Sequence, residues 1–244
     1  MSAWLFDLGN SRLKCAPLAE PAAMRSVAHD GKTFAADWEA ALPARCDVAC
    51  VASVAAPQLT ARLFDALAAR CPRIVRARTL PALAGVRIAY AQPRRLGVDR
   101  FLALLGAHAR AAEPALVVGV GTALTIDLLD ATGLHRGGRI APSPALMRAS
   151  LHARAAQLSA QGGAYAEFAA DTDDALVSGC EGAALALVER SLAAAAAQLG
   201  APPRLLLHGG GAVALAPRLP AAVEAPALVL EGLARWARVL GAAA

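Results

Sequence analysis

Near its start, the chain places an acid, a glycine and a base within one short stretch that follows an apolar run. The stretch is WLFDLGNSRLK, residues 4–14. Gly9 has no β-carbon, so the backbone can approach a ligand there, and successive N–H groups in a tight turn can bind phosphate oxygens. Asp7 can hold a hydrated Mg²⁺, and Lys14 can neutralise a phosphate as a point charge. Asn10 and Ser11 add side-chain donors to this predicted phosphate-binding turn.

A second stretch, residues 115–130, repeats the pattern. It reads ALVVGVGTALTIDLLD, with Gly121 and Thr122 between two apolar runs. Two such turns, one in each half of the chain, could hold the phosphates of one nucleotide from both sides. For either turn alone, the alternative is an ordinary hairpin in which Asn or Gly supplies a positive φ. The repetition favours phosphate binding.

Composition and charge exclude several classes of protein. The chain has 244 residues, of which 57% are hydrophobic, so it can bury a substantial core. The net charge is +5, but only 4% of residues are aromatic and the basic residues are scattered, which argues against nucleic-acid binding. No apolar run approaches the ~18 residues of a membrane span. No secretory signal is recognisable, so we expect a cytoplasmic protein. The five cysteines fit no zinc pattern and are expected to be buried, reduced thiols.

The order of apolar patterns predicts alternating strands and helices, which indicates the α/β class. Strands are expected at 3–8, 11–17, 47–54 and 73–79, a pair of them within 115–130, and one more from 204. Helices are expected at 32–42, 57–71, 96–112, 143–157, 173–199 and 227–240. The repeated hairpin suggests two related halves, residues 1–113 and 114–244, that face one another across a cleft.

Other catalytic patterns fail on inspection. DGKT at 30–33 resembles the end of a P-loop, but Ser26 stands where the first glycine should be. HGGG at 208–211 resembles an esterase oxyanion loop, yet the chain has no G-x-S-x-G. His135 and His208 are therefore expected to be hydrogen-bonded polar groups rather than ligands.

Several motifs together resemble one family. DLGNSRLK at 7–14 resembles the D-x-G-N-T-x-x-K phosphate motif of the type III pantothenate kinases, which are related to the Bvg accessory factors and belong to the acetate kinase/sugar kinase/Hsp70/actin superfamily. Further segments match its signatures in the family's order: LGVDRF (96–101), GTALTID (121–127), GGRIAP (137–142), DTDDALVSG (171–179), HGGGA (208–212) and LVLEGL (228–233). One motif would be weak support, whereas the ordered set covers nearly the whole chain.

The resemblance implies a duplicated ribonuclease H-like (actin-like ATPase) fold, a homodimer, and ATP- and Mg²⁺-dependent phosphorylation of pantothenate, the first step of coenzyme A biosynthesis. It also implies the residues of the site. ATP would be bound by Asp7, Leu8, Gly9, Asn10, Ser11, Arg12, Leu13, Lys14, Gly121 and Thr122, with Asp7 on the metal. Pantothenate would be contacted by Tyr90, Gly97, Val98, Asp99, Arg100 and Thr172, with Asp99 as the catalytic base.

The chemistry of these residue types agrees with that assignment. Phosphoryl transfer needs positioning and charge neutralisation, and a carboxylate such as Asp99 can accept the proton of the attacking hydroxyl. Arg100 could pair with the substrate carboxylate or with a phosphate. Taken alone, Asp99 could instead be a favourable acid in a first helical turn. Tyr90 could be a half-buried strand residue, and Thr172 a helix cap.

One residue departs from the family pattern. Gly119 stands where the second phosphate motif of the family, D-x-G-T, has its aspartate. By resemblance, that carboxylate helps to hold K⁺ or NH₄⁺, which glycine cannot do. Asp127 is expected to point elsewhere, and Ser143 stands where the family usually has glycine. We expect an active kinase that depends less on K⁺ or NH₄⁺ than its relatives do.

Three alternative functions stay open at this point. The first is a catalytically impaired, nucleotide-binding regulatory homologue of the same fold, which the loss of the carboxylate at Gly119 would suit. The second is a kinase of the same superfamily that acts on another sugar or acid, although Tyr90 and Thr172 argue for pantothenate. A DNA-binding protein is a distant third.

Overall fold

A computed structural model describes residues 2–242 of the chain. The strands are β1 (Ala3–Leu8), β2 (Arg12–Pro17), β3 (Arg25–Ala28), β4 (Val48–Ser53), β5 (Arg73–Arg76), β6 (Ala82–Leu83), β7 (Val86–Arg87), β8 (Ala115–Val120), β9 (Ala123–Leu129), β10 (His135–Pro142), β11 (Arg204–His208) and β12 (Ala222–Glu224). The helices are α1 (Pro57–Ala68), α2 (Val98–Arg110), α3 (Pro144–Arg154), α4 (Thr172–Leu199), α5 (Ala212–Leu215) and α6 (Leu228–Val239). No helix among residues 2–242 combines the length and apolar composition of a membrane span.

The chain forms two compact units that interleave along the sequence. Unit 1 contains Met1–Glu113, Leu129–Gly137 and Ala227–Ala244, and unit 2 contains Pro114–Leu128 and Gly138–Pro226. The halves expected from the sequence, 1–113 and 114–244, put α6 in the second half. In the structure α6 belongs to unit 1, because its apolar face packs on α2 and contacts β1 and β4.

The two large sheets have the same strand order. One is ordered β3-β2-β1-β4-β5 and the other β10-β9-β8-β11-β12. In the first sheet, β1 is antiparallel to β2 and parallel to β4. In the second, β8 is parallel to β11, which is parallel to β12. The repeated hairpin seen in the sequence is therefore the start of a repeated five-stranded sheet.

Alternation along β1 sorts its side chains between two environments. Phe6 and Leu8 belong to an apolar cluster with Leu59, Leu63 and Leu67 of α1, all fully buried. Because successive strand residues point to opposite faces, Asp7 points away from that cluster. The strand therefore carries one acid on the face opposite α1.

Two glycines let helices α2 and α6 approach each other closely. A β-carbon on Gly232 would collide with the carbonyl oxygen of Leu102, and one on Gly106 would collide with that of Leu228. Arg110 closes the contact with two hydrogen bonds of 2.7 Å to the carboxylate of Glu231. This packing fixes α2, which carries the predicted base near its start.

In unit 2, the even-numbered residues of the central hairpin face its core. Val118, Val120 and Leu124 are buried in one cluster with Ala184 and Val188 of α4. The odd-numbered positions of β8, including 119, consequently face the other side of the sheet.

The prediction of a helix at 32–42 is wrong. That segment contains only a short 3-10 helix, Trp38–Ala41, and Asp37 before it has a positive φ of 54°. Phe34 and Trp38 stack on each other at 3.9 Å between ring centroids and pack on the core of unit 1. Their spacing of four residues is typical of one face of a helix, but here it results from the stacking of the two rings. The other predicted helices and strands are confirmed, and all five cysteines are buried as expected.

Candidate active site

The first predicted phosphate turn connects β1 to β2. The N–H of Gly9 donates to the carbonyl of Arg12 at 3.0 Å, and Asp7 lies opposite Lys14 in the hairpin. Asn10, Ser11 and Arg12 are exposed, whereas Leu8 and Leu13 are buried and fix the hairpin to the core. The turn thus presents its backbone and polar side chains outward.

Neither turn glycine is required by backbone conformation. Neither Gly9 nor Gly121 has a positive φ, nor does Asn10, which contradicts the ordinary-hairpin alternative. An added β-carbon would come no closer than 3.5 Å to its neighbours at Gly9 and 3.9 Å at Gly121. Alanine would therefore fit in both turns, and the glycines leave space beside the backbone. Such space suits a ligand that approaches the N–H groups closely.

Asp7 has an unusual electrostatic environment. The pKa of its carboxyl is raised to about 7, chiefly by burial and further by the charge of Asp99, while the charge of Lys14 acts in the opposite direction. Because Asp99 acts on Asp7 electrostatically, the structure brings the predicted metal ligand and the predicted base into one neighbourhood within unit 1. A buried carboxylate beside a second one is destabilised by negative charge, which a bound cation would relieve. The carboxylate of Asp7 is an oxygen ligand of the kind that Mg²⁺ prefers.

The start of α2 presents the predicted base. Gly97 is the residue before the helix, and Val98 is its first residue. A β-carbon on Gly97 would lie 2.5 Å from Oδ1 of Asp99, so the half-buried carboxylate folds back over the start of its own helix. Glycine at 97 therefore makes room for the side chain of Asp99 in this orientation.

Arg100 and Tyr90 lie together beside this helix start. The buried Arg100 donates from Nη1 to the hydroxyl of Tyr90 at 3.4 Å, and the Tyr90 ring stacks on His135 at 5.8 Å between centroids. Two residues expected to contact pantothenate are thus in direct contact with each other. His135 was not expected to be part of this group, because no local pattern reveals its approach to Tyr90.

The second turn lies in unit 2, between β8 and β9. The N–H of Gly121 donates to the carbonyl of Ala123 at 2.9 Å, and Thr122 is exposed. Ser143 donates from Oγ to the carbonyl of Thr122 at 3.0 Å while capping α3 through the N–H of Leu146. The serine that replaces the family's usual glycine therefore ties the second turn to a helix.

Thr172 is the first residue of α4 and is exposed. The side chain of the preceding Asp171 caps the helix by accepting from the N–H of Asp174 at 3.0 Å. Thr172 is therefore not needed as the cap, so that alternative is wrong, and its hydroxyl lies at the exposed start of a long helix.

Two histidines adjoin the turns without having been predicted to do so. His29 bonds through Nε2 to the carbonyl of Gly9 at 3.0 Å. His208 lies over Gly119, where an added β-carbon would be 2.9 Å from its ring. Asp127 was expected to point elsewhere, but alternation in β9 places it on the same face as Thr125, because Leu124, Ile126 and Leu128 face the core.

Comparison with known proteins identifies the family. A family model described as type III pantothenate kinase matches residues 4–194. A type III pantothenate kinase of Stenotrophomonas maltophilia (strain R551-3) is 59% identical over 97% of this chain and 98% of its own. One of Xanthomonas campestris pv. campestris (strain B100) is 60% identical with the same coverage. The chain belongs to the type III pantothenate kinase family. The family resemblance in the sequence is thereby confirmed.

Solved structures confirm the predicted fold class for this family member. A conserved Baf family protein from Campylobacter jejuni aligns with a TM-score of 0.65 at 19% identity, over 98% of this chain and 99% of the other. The archaeal actin homologue Ta0583 aligns with a TM-score of 0.53 at 10% identity, with the same coverage. The type III pantothenate kinase fold described here is therefore an actin-like α/β fold.

Proposed function

We propose that the protein transfers the γ-phosphoryl group of ATP to the primary hydroxyl of pantothenate and so catalyses the first step of coenzyme A biosynthesis. Membership of the type III pantothenate kinase family, over nearly the full chain, carries this conclusion. The neighbouring carboxylates of Asp7 and Asp99 support it, because metal binding and proton acceptance are two separate tasks in phosphoryl transfer.

Asp99 acts as the base. Its carboxylate is half-buried at the start of α2 and folds back over Gly97. In this role it accepts the proton of the pantothenate hydroxyl as that oxygen attacks the γ-phosphorus. The adjoining residues Val98, Arg100 and Tyr90 bind pantothenate, and the buried guanidinium of Arg100 suits the substrate's carboxylate. Thr172 provides a further hydroxyl to the same substrate.

The turn from Asp7 to Lys14 binds ATP phosphates through its N–H groups, the side chains of Asn10 and Ser11, and the charge of Lys14. Gly121 and Thr122 do the same at the second turn. Asp7 holds Mg²⁺, which, when bound, neutralises phosphate charge. The carboxylate must be ionised to do so, and its raised pKa makes metal binding dependent on pH near neutrality.

We propose that turnover depends less on a monovalent cation here than in relatives that keep the aspartate of the family pattern. Gly119 supplies no carboxylate, and the direction in which a side chain at 119 would extend is occupied by Thr125 and His208. Residue 119 therefore provides no carboxylate for a cation, and the space that such a side chain would need is already occupied.

The homodimer and the cytoplasmic location remain predictions. Large apolar side chains are exposed in unit 2, where Ile140 is 66% and Phe168 is 99% accessible, and where Leu146 and Leu151 on α3 are also exposed. Exposed apolar side chains of this size favour a dimer, in which a second copy would bury them. Light scattering should give twice the chain mass, and Phe168→Ser should shift the mass towards the monomer.

The proposed reaction is tested by product formation. The full chain is incubated with MgATP and pantothenate, and phosphopantothenate and ADP are measured by mass spectrometry. We expect equal amounts of the two products, and ADP at background level without pantothenate. Formation of ADP with a sugar acid but not with pantothenate would favour another kinase of the superfamily. ATP binding without any turnover would favour the regulatory homologue.

A further inference from the structure

The two hairpins carry different side chains at equivalent positions. Two residues before its turn glycine, β1 has Asp7 and β8 has Gly119. Across the parallel pairing, Asp7 lies opposite Ala52 of β4, whereas Gly119 lies opposite His208 of β11. At the corresponding place in its sheet, the second unit therefore has no acid and has an imidazole on the neighbouring strand.

The partner across the hairpin differs as well. Asp7 lies opposite Lys14 in the first hairpin. In the second, a β-carbon on Gly119 would lie 2.7 Å from Oγ1 of Thr125, so a hydroxyl takes the place of the ammonium group. Asp7, Lys14 and Ala52 in unit 1 therefore correspond to Gly119, Thr125 and His208 in unit 2.

The imidazole of His208 depends on glycine at position 119. A β-carbon there would lie 2.9 Å from both Cε1 and Nε2 of the ring, closer than real β-carbons approach other atoms. The ring therefore occupies the direction that a side chain at 119 would take. Gly119 and His208 form a coupled pair, in which the missing side chain makes room for the ring.

His208 is also fixed relative to the second turn. The loop that follows it is tied to Val120, because the N–H of Gly211 donates to the Val120 carbonyl at 2.9 Å. Gly209 has a φ of 95°, and a β-carbon on it would collide with the same carbonyl. Val120 directly precedes Gly121, so the backbone that follows His208 is held against the residue next to the second turn.

We propose that His208 binds a phosphate oxygen of ATP at the second turn, by donating a hydrogen bond from its imidazole. This inference rests on the proposed function, because it requires that the second turn bind nucleotide phosphates. An imidazole N–H donates directly to an anion, and a carboxylate at 119 would instead need a cation between itself and the phosphate. The hydroxyl of Thr125 lies on the same side of Gly119 as the ring. His208 thus contacts the phosphate directly, where a carboxylate would need a bound ion in between.

ATP affinity without pantothenate provides the test. Calorimetry on the full chain with MgATP compares the wild type with His208→Ala, His208→Gln and the surface control His152→Ala. We expect His208→Ala to weaken ATP binding about tenfold, as for loss of one hydrogen bond to a charged group. His208→Gln keeps an N–H donor and should retain most of the affinity, and His152→Ala should match the wild type. Adenosine, which has no phosphate, should bind all four proteins equally.

Gly119→Ala tests the coupling between the pair. The added methyl group should displace the ring, so ATP affinity should fall as far as in His208→Ala, and the double variant should be no worse than either. Thermal melting reports whether each variant is folded.

The inference is overturned if folded His208→Ala binds ATP as the wild type does, a result that leaves the proposed function standing. Equal losses for ATP and adenosine would also overturn it. A wild type that does not bind ATP would overturn both.

Discussion

The carboxylate of Asp99 acts together with burial, which is the larger cause, to raise the pKa of Asp7 to about 7. The folded protein consequently holds a proton on Asp7 at pH values where the unfolded chain, with an ordinary pKa of 3.8, has released it. Stability should therefore fall as the pH rises from about 4 to about 7, because the folded state binds the extra proton only in that interval. The buried acid is retained at a cost to stability, which fits a group kept for function.

Asp7→Asn should remove this cost. We expect the free energy of unfolding at a pH of about 8 to increase by up to a few kcal/mol, with little change at a pH of about 4. Denaturant melts at the two pH values measure it, and the exposed Asp65→Asn of α1 is the control. An equal effect of Asp7→Asn at both pH values would contradict the role of its ionisation. The same variant should lose Mg²⁺-dependent turnover.

His29 should support the first turn. Its Nε2 donates to the carbonyl of Gly9 at 3.0 Å, while its Nδ1 accepts from the N–H of Gly31 at 3.1 Å, and only the neutral ring with its proton on Nε2 satisfies both bonds. His29→Ala should raise the KM for ATP several-fold and leave the KM for pantothenate unchanged. Steady-state kinetics with each substrate varied measures the effect, and His152→Ala is the control. Equal changes in both KM values would indicate a general disturbance instead.

The close approach of α2 and α6 makes Gly232 sensitive to enlargement. Gly232→Ala should destabilise the protein by about 3 kcal/mol, because the methyl group would collide with the backbone of α2. Gly179→Ala in α4 is the matched control, since a β-carbon there meets nothing within 4 Å. That change should leave stability unchanged or raise it by up to about 1 kcal/mol through helix propensity. Thermal or urea melts compare the two, and similar melts would contradict the packing described for α2 and α6.

Turnover should depend little on monovalent cations, because Gly119 offers no carboxylate and its space is occupied. Initial rates are measured in Tris buffer with and without KCl, and with NaCl at matched ionic strength. Product is measured by mass spectrometry, since common coupling enzymes themselves require K⁺. We expect similar rates in all three conditions. A strong, saturable K⁺ requirement would contradict this, and Asp127, on the same sheet face as Thr125, would then be the residue to examine.

Local patterns predicted the parts of the fold whose signals are local. Strand β1 and helix α1 have apolar residues at the spacing of their own elements, so both were predicted. Strand β10 was missed because its sequence, HRGGRIAP, is polar, glycine-rich and mostly exposed, as edge strands often are. The segment at 32–42 was predicted as a helix because the stack of Phe34 on Trp38 has helical spacing. Long-range contacts decided these cases.

The residues of the site likewise fall into those that local motifs predict and those that only long-range contacts reveal. The resemblance placed Asp7, Asp99 and the two glycine turns in ordered motifs that can be recognised along the chain. It did not reveal the contact of His208 with Gly119, because that pairing depends on the register between β8 and β11, which lie more than eighty residues apart in sequence. The substitution at 119 was visible in the sequence, whereas the group that fills its space became visible only in the folded sheet.

The most direct test of the account is the turnover of Asp99→Asn, because the central claim is that this carboxylate accepts the proton of the pantothenate hydroxyl. Asparagine keeps the size of the side chain but is a far weaker base. Calorimetry with MgATP should give wild-type affinity, while kcat should fall by about a hundredfold or more. Wild-type turnover in a protein that binds ATP normally would contradict the claim and remove Asp99 from that role.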